Sequence, residues 1–269
     1  MKKAVHYLLA GVLFFGISCQ GGQKKTEEDP EEKEAEVEEA GPNELTEAEK
    51  NEGWKLLFDG EGHEGWRGVN QDTFPSAGWE VTEEGALHCI GSGTGEAGSE
   101  VGGDILYEEK FSNFHLKFEY KISEGGNSGV FYLGQEVEGK PIWNTAPEFQ
   151  VLDNERHIDA DLGEAGNRQS ASLYDLVPAD PQNTKPAGQW NTGEILVYKG
   201  TIVHKQNGET VLDYHLWTPD WEGKVADSKF PELNEDWADV AKEGYIALQD
   251  HGDDVWYRGI KIKELYKTK

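Results

Sequence analysis

Residues 147–157, PEFQVLDNERH, combine carboxylates, amides and an imidazole within one short stretch. Glu148 and Gln150 alternate with two apolar residues, which predicts a strand with one face on a core and the other facing water or a ligand. The loop that follows adds Asp153 and His157. Groups of these types at the end of a strand suit proton-transfer chemistry. The alternative interpretation is a solvated edge strand with a charged turn.

A second candidate, His251, lies in the sequence QDHG, where two predicted strands turn. It would serve as an acid, a base or a metal ligand, or it is a turn histidine bonded to the backbone. Asp153, Asn154 and His157 offer hard oxygen and imidazole ligands for a sugar or for a divalent cation. Their spacing alone does not establish a metal, so the cofactor remains open.

Arg258 has the same parity as Ile260 and Ile262, which should face the core. A regular strand would therefore bury its guanidinium group. Either Gly259 marks a bulge that re-aims the side chain, or Arg258 lies inward beside an acidic partner.

The charge balance excludes one class of ligand. There are 25 basic and 52 acidic residues, and the formal net charge is -27. Such a chain repels phosphate backbones, which argues against nucleic-acid binding. Much of the acidity is local, so it does not by itself indicate an acidic active site.

The N-terminus predicts export. A positive start at residues 1–3 precedes a largely apolar run over residues 4–17, which is too short for a convincing membrane span. Residues 1–19 are therefore the predicted signal peptide, and Cys19 resembles the lipidated cysteine of a bacterial lipobox, with Gly16 in place of the usual leucine. An ordinary secretory signal is the alternative. Cys89 would then be the mature chain's one thiol, most simply a small core residue.

Residues 20–52 are rich in Glu, Lys, Gly and Pro and predict an acidic flexible tether, with a short helix near Glu44 to Lys50. Residues 53–269 contain short alternating segments between Gly, Asn and Asp turns, typical of an all-β domain. Residues 114–122 alternate most clearly, and strands are also expected at 170–176 and 194–199. One short helix is predicted at Trp237 to Lys242. Hairpin links favour a two-sheet antiparallel sandwich.

Six phrases occur in order along the predicted domain: GWKLLFDG, GGNSG, EFQVLDN, SLY, PAGQWN and LQDHG. Together they resemble the 3-keto-disaccharide hydrolase family, formerly a domain of unknown function and common in bacterial lipoproteins. The resemblance covers residues 53–265. It implies a concanavalin A-like jelly roll that acts on glycosides oxidised at the C3 hydroxyl of the sugar.

The ketone of such a substrate acidifies the proton on C2. One base can remove this proton, the enolate expels the C1 substituent, and water adds back to the enone. The site needs a base, an enolate stabiliser and an acid for the leaving oxygen. NAD is not needed here, because it belongs to the sugar 3-dehydrogenase that would act upstream as a pathway partner.

Retaining glucanases of the same superfamily provide a second comparison. Their E-x-D-x-x-E spacing aligns with Glu148, Gln150 and Asp153, so an amide replaces the middle carboxylate and an aspartate replaces the last glutamate. A retaining mechanism needs two carboxyl groups at a fixed separation. The substitutions therefore favour base-initiated elimination over ordinary hydrolysis.

The catalytic residues expected from this scheme are Glu148 as base, His251 as acid or base and Arg258 as enolate stabiliser. Trp143 and Trp217 are expected to stack on sugar rings. The expected substrate-binding residues are Asn127, Gln150, Asp153, Asn154, Tyr174, Lys199 and Gln249. Asn127, Tyr174 and Lys199 have alternatives as a turn amide, a core-edge phenol and a surface lysine. The metal hypothesis rests on Asp153 and His157.

The sequence thus predicts a cell envelope lipoprotein, periplasmic or on the outer-membrane surface, held to the membrane only by its N-terminal lipid. Its expected partner is a carbohydrate substrate. A glycan-binding module without catalysis is the first alternative. A conventional glycoside hydrolase is the second.

Overall fold

The computed structural model describes residues 40–93 and 102–266. The predicted signal peptide, Cys19 and residues 20–39 of the predicted tether lie outside the described residues. Within the described residues, no helix is long and apolar enough to cross a membrane.

The larger of the two antiparallel sheets has eight strands. They are β1 (Trp54–Leu56), β3 (Trp79–Val81), β4 (Leu87–Cys89), β6 (Phe114–Ile122), β9 (Asn191–Tyr198), β10 (Thr201–Gln206), β11 (Glu209–His215) and β13 (Val255–Glu264). Their order is β11-β10-β9-β6-β13-β4-β3, and β1 pairs with β13.

The smaller sheet has five strands in the order β2-β5-β12-β7-β8. They are β2 (Trp66–Gly68), β5 (Ile105–Tyr107), β7 (Asn127–Gly134), β8 (Glu148–Leu152) and β12 (Tyr245–Leu248). The prediction of an all-β, two-sheet antiparallel jelly-roll sandwich is confirmed.

The main core lies between the two sheets. On β6, every second residue from Phe114 to Ile122 is buried, as its alternation predicts. Phe149 of β8 meets Phe118 edge to face across this core, with ring centroids 5.2 Å apart. Cys89 is also buried here, as expected from the sequence.

The five-stranded sheet differs from an ordinary antiparallel sheet because β7 and β8 are buried along their whole length. A small second cluster explains part of this burial on the outer face. Leu106, Phe131 and Ala247 pack there against Ile142 and Ala146, which belong to the segment around the 3-10 helix Ile142–Asn144.

The remaining cover of this outer face comes from α3 (Phe230–Leu233) and the turn that follows, and α2 (Pro219–Ala226) links them to β11. Thr218 caps α2 and Pro219 occupies its first turn. Aromatic rings anchor the cover to β11, because Tyr214 stacks on Trp221 and Trp237 stacks on Trp221 and on Phe230.

Two sequence-based predictions fail in these covering segments. Trp237 to Lys242 is not helical: a turn in which Trp237 N donates to Asn234 O covers residues 235–238, and the chain then continues without helix to β12. Residues 170–176 do not form a strand, because Ala171 and Asp175 have positive φ values of 66° and 62°. This segment makes only isolated bridges, yet it lies along β8 and donates from Tyr174 N to Glu148 O.

The predicted tether ends earlier than expected. Asn43 donates to Gly85 O and accepts from Gly259 N, and α1 (Glu47–Glu52) is attached to β13 through the Lys261–Glu49 and Lys263–Glu52 ion pairs. The boundary at residue 52 is therefore corrected: Asn43 to Glu52 contact the domain, because a capped helix presents its carboxylates to lysines of β13.

Candidate active site

Glu148 is held on the outer face of the five-stranded sheet. Its neighbours on β8, Phe149 and Val151, point into the main core, and alternation sends Glu148 and Gln150 to the other side. A Cβ at Gly129 would overlap the Glu148 carboxyl, so this glycine makes room for it. Burial raises the pKa of Glu148 to about 8, against the opposing effect of the nearby Lys229.

Three amide side chains lie beside this carboxyl on the same sheet face. Asn127 begins β7, Gln150 pairs with Gly129 across β7 and β8, and Gln249 N donates to Gly129 O from the end of β12. Neighbouring strands therefore place these residues side by side on the outer face of the sheet. We call this group, together with Glu148, the floor of the site. Asn127 Oδ1, Gln150 Nε2 and Gln249 Oε1 are buried without a hydrogen-bond partner in the structure.

His251 lies in the turn after β12, where two buried carboxylates fix the backbone. Asp250 accepts from Gly103 N and Gly252 N, and Asp104 accepts from Asp250 N. Burial lowers the pKa of His251 below its usual 6.5 and raises that of Asp104 to about 7. His251 Nδ1 is buried and has no partner in the structure. The imidazole is therefore neutral at pH 7, with one nitrogen available for a ligand.

The segment around α3 lies over this floor, and we call its residues Lys229, Phe230 and Leu233 the roof. Lys229 Nζ donates to Tyr174 Oη at 3.0 Å, and Tyr174 Oη donates to Asp159 Oδ2 at 3.1 Å. Burial lowers the pKa of Lys229 and raises that of Tyr174. The lysine therefore releases a proton more readily than an exposed one, while the phenol stays protonated.

Floor and roof enclose a cavity of about 250 Å³. Its lining comprises Asn127, Trp143, Glu148, Gln150, Tyr174, Lys229, Phe230, Leu233, Gln249 and His251. In the part of the chain that the structure describes, five buried side-chain polar atoms lack a partner, and all five belong to residues of this lining. Buried polar groups are normally paired, so this concentration marks a site for a hydrogen-bonding ligand. We refer to this candidate active site as the catalytic cavity below.

Two of the predicted catalytic residues, Glu148 and His251, thus line the same cavity. The structure also brings Asn127, Gln150, Tyr174 and Gln249 into the lining, and Trp143 joins them. Their contact with a substrate stays a prediction.

Asp153, Asn154 and His157 do not line the catalytic cavity. Asp153 accepts from Gly125 N and Glu155 N, and Asn154 Oδ1 accepts from Ser170 N, so both hold loops. His157 Nδ1 accepts from Asp159 N, and the His157 ring lies edge to face with the His251 ring, with the two ring centroids 6.3 Å apart. Over residues 40–93 and 102–266, no group of three or more His, Cys, Asp or Glu side chains is arranged to hold a metal.

Arg258 lies on the outer face of the eight-stranded sheet. The register of β13 shifts after Arg258, and Gly259 has a positive φ of 59°, so the bulge interpretation is the correct one. Its Nε donates to Glu119 at 2.7 Å, and its guanidinium lies 4.0 Å from the centroid of the Trp190 ring. Arg258 therefore does not line this cavity, where the predicted scheme would need it as the enolate stabiliser.

Lys199 and Trp217 are also elsewhere. Lys199 occupies the turn between β9 and β10 with a φ of 50°, where its N–H donates to Asn113. The Trp217 indole donates to Val240 O and lies outside the lining. Neither residue lines the catalytic cavity, so their predicted sugar contacts are not supported there.

Comparison with known proteins bears directly on this arrangement. The family described as the 3-keto-alpha-glucoside-1,2-lyase-like domain matches residues 53–263. The chain belongs to this family. A 3-keto-disaccharide hydrolase of Bacteroides thetaiotaomicron is 46% identical over 292 residues, covering 98% of this chain and all of the relative.

Solved structures agree with the fold. A protein of Parabacteroides distasonis with the working name of a glycosyl hydrolase superimposes with a TM-score of 0.71 at 29% identity, covering 83% of this chain and 99% of the other. A second one from that organism gives a TM-score of 0.61 at 23% identity, covering 79% and 99%.

Four of the six phrases that carry the family resemblance contribute residues to the same cavity. The phrases GGNSG, EFQVLDN, SLY and LQDHG contribute Asn127, Glu148, Tyr174 and His251 to the catalytic cavity, and GGNSG also provides Gly129. Segments far apart in this 3-keto-alpha-glucoside-1,2-lyase-like domain therefore converge on one site.

Sequence reasoning missed the roof. Lys229, Phe230 and Leu233 belong to a polar connection without a recognisable motif. The one usable signal was Thr218-Pro219, a helix cap followed by proline, which indicates the preceding helix but not the position of Lys229 over the sheet.

Proposed function

We propose that this protein cleaves 3-keto-glycosides by removing the C2 proton, eliminating the C1 substituent and adding water to the enone. Membership of the 3-keto-alpha-glucoside-1,2-lyase-like family and the 3-keto-disaccharide hydrolase named above support this substrate class. The observation that carries the proposal is the lining of the catalytic cavity, where residues with five unpartnered polar atoms occur together with a buried carboxyl whose pKa is raised.

Glu148 is the base in this scheme. Its pKa of about 8 makes the ionised carboxylate a stronger base than an ordinary glutamate, while a useful fraction is ionised near neutral pH. Its position beside Gln150 on the floor lets the amides orient the sugar hydroxyls while Glu148 reaches the face that carries the C2 hydrogen.

His251, in place of Arg258, is the enolate stabiliser in this scheme. A neutral imidazole protonated at Nδ1 donates from this unpartnered atom to the C3 oxygen as the enolate forms. The turn fixed by Asp104 and Asp250 holds the ring in advance of the reaction. Such a preorganised donor does not have to reorganise when the charge develops.

Lys229 is the acid for the leaving oxygen. It lies on the roof, whereas Glu148 lies on the floor, so a sugar ring between them meets the base on one face and the acid on the other. In the chair form of an α-glucoside, the C2 hydrogen and the C1 oxygen are axial on opposite faces. The arrangement therefore favours α-linked substrates, which undergo anti elimination.

The protons balance over the cycle. Elimination leaves Glu148 protonated and Lys229 neutral. In the second half, Lys229 takes a proton from water as the oxygen bonds to C1, and Glu148 returns a proton to C2. Both residues then have their initial charges, and the net reaction is hydrolysis.

Isotopes at C2 test the proposal. Methyl 3-keto-α-glucoside deuterated at C2 is expected to react more slowly than the protiated compound, and product formed in deuterated water is expected to carry deuterium at C2. Product incubated without enzyme controls for spontaneous exchange. An unchanged rate together with no solvent deuterium at C2 would show that the C2–H bond is never broken. Binding without cleavage, or equal cleavage of unoxidised methyl α-glucoside, would also overturn the proposal.

We also propose that the protein is a cell envelope lipoprotein anchored through Cys19, and that a sugar 3-dehydrogenase supplies its substrate. The support is the lipobox-like sequence before Cys19 and the ketone that the proposed reaction requires. Metabolic labelling with a clickable fatty acid is expected to mark the full-length protein and to fail for Cys19→Ser. Equal labelling of both would contradict lipidation at this residue.

A further inference from the structure

A second cavity, of about 370 Å³, lies next to the catalytic cavity. Residues of the loop 163–168, Asp175 and Leu176 line one side, and the end of α2 and the residues after it line the other. Lys229 belongs to the lining of both cavities. The two spaces therefore meet at the residue that protonates the leaving oxygen in the proposed reaction.

Tyr174 and Arg168 show how thin the boundary is. Tyr174 lines the catalytic cavity and Arg168 lines the second one, and the guanidinium lies 5.5 Å from the centroid of the Tyr174 ring. Lys229 Nζ lies 4.3 Å from the same centroid. One layer of side chains thus separates the cavities.

The second cavity differs chemically from the first. Three cations, Arg168, Lys224 and Lys229, face three carboxylates, Glu164, Asp175 and Asp227, so the formal charges of the lining cancel. Asn167 and Ser228 add uncharged polar groups, and Leu176 is the apolar member. A balanced set of donors and acceptors suits a neutral ligand with many hydroxyl groups. Arg168 and Asp175 already pair with each other at 2.6 Å, so a hydroxyl-rich ligand adds hydrogen bonds without breaking this pair, whereas a strongly anionic ligand would compete with the carboxylates for the cations.

We propose that this second cavity binds the leaving sugar of a 3-keto-disaccharide. The inference rests on the proposed function, in which Lys229 gives its proton to the oxygen that joins the two sugars. Such an acid must lie at the boundary between the two rings, and Lys229 is the residue that the linings share. The catalytic cavity, with Trp143, Phe230 and Leu233 in its walls, then holds the oxidised ring.

Two substrates with different leaving groups separate this inference from the proposed function. Methyl 3-keto-α-glucoside fills only the catalytic cavity, whereas a 3-keto-disaccharide with a glucosyl leaving group fills both. Lys224→Ala and Asp227→Ala remove groups from the second cavity at partly or fully exposed positions, so both variants should fold. Each is expected to lower kcat/KM on the disaccharide about five- to tenfold, the effect of one or two lost hydrogen bonds. Neither is expected to change kcat/KM on the methyl glycoside.

Glu222→Ala is the matched control, because Glu222 is exposed on α2 and lines neither cavity. It should leave both substrates unaffected. Unchanged disaccharide kinetics in both cavity variants would overturn the inference, and so would an equal fall on both substrates. Wild-type protein that cannot cleave methyl 3-keto-α-glucoside would instead refute the proposed function.

Free glucose provides an independent measurement. It is expected to inhibit disaccharide cleavage by occupying the second cavity, and Lys224→Ala should raise the inhibition constant about fivefold. An inhibition constant that is the same in Lys224→Ala and wild-type protein would place glucose elsewhere and contradict the inference.

Discussion

The two faces of β7 and β8 are both buried, but the polar groups of the inner face are hydrogen-bonded to each other, whereas several on the outer face have no partner in the structure. On the inner face, Tyr132 Oη bonds to His204 Nε2 at 2.8 Å and to Tyr214 Oη at 2.6 Å, and Ser128 Oγ bonds to Gln249 O and Tyr257 Oη. On the outer face, the Gln150 amide nitrogen and the Asn127 amide oxygen have no partner in the structure.

This contrast distinguishes polar side chains that stabilise the fold from polar side chains that can bind a ligand. A buried network whose members satisfy each other rigidifies the fold, and burial lowers the pKa of His204 to about 4, so it remains neutral. Unpartnered groups around a cavity are instead available to a ligand. Four experiments test this distinction, described from the largest expected effect to the smallest.

Glu148→Gln should lower kcat on methyl 3-keto-α-glucoside by a factor on the order of 10³, because the amide cannot take the C2 proton. Folding should be preserved, since the substitution keeps the shape of a buried side chain and removes a charge that burial disfavours. Steady-state kinetics and thermal unfolding measure the two effects. Glu138→Gln, at an exposed position, is the control. Full activity of Glu148→Gln would remove Glu148 from the mechanism.

The pH dependence should follow from the two shifted groups. Glu148 must be ionised, so kcat/KM should rise about tenfold per pH unit below its pKa of about 8. Lys229 must be protonated, so activity should fall again at a pH below the usual lysine value of 10.5, because burial lowers its pKa. A profile from pH 5 to 10.5 measures both limbs. A rate independent of pH between 6 and 8 would contradict the role of Glu148.

Two glutamines give the sharpest contrast: Gln206 of β10, in the main core, and Gln150 on the outer face of β8. Gln206 Nε2 donates to Gln182, Asn183 and Thr184, and its Oε1 accepts from Tyr120. Gln206→Leu should therefore lower the free energy of unfolding by at least about 2 kcal/mol, because several partners lose their bonds.

Gln150→Leu should change the free energy of unfolding by less than about 1 kcal/mol, since Gln150 Nε2 has no protein partner and Oε1 accepts only one bond, from the neighbouring Val151 N at 3.2 Å. It should instead lower kcat/KM about tenfold. Urea unfolding and kinetics on both variants measure the difference. Equal destabilisation by the two substitutions would abolish the distinction between the faces.

Arg258→Met should have the smallest effect, with kcat/KM within about twofold of wild type, because its partners Glu119 and Trp190 lie on the outer face of the other sheet. The aliphatic part of methionine retains some packing on Trp190. Kinetics on methyl 3-keto-α-glucoside measure the effect. A large loss of kcat with normal stability would restore the role first expected for Arg258.

Much of the floor could be predicted from local pattern. The alternation around Glu148 sends it and Gln150 to the face opposite Phe149, and the Asn207-Gly208 hairpin joins β10 to β11 as the turn chemistry indicates. The strand predicted at residues 170–176 does not form, because Ala171 and Asp175 adopt the left-handed backbone conformation. The pattern of residue types does not reveal these two positions.

What the sequence by itself determined is the all-β architecture, the family and the identity of Glu148 and His251 as candidates, because these depend on period-two alternation, turns and local phrases. Only the tertiary structure decided which candidates meet. The bulge at Gly259 turned Arg258 away, and the packing of α3 and its flanking residues over the five-stranded sheet brought Lys229 into one cavity with Glu148. Both outcomes depend on contacts between residues more than 80 positions apart, such as Trp237 Nε1 with Trp143 O, which no local pattern encodes.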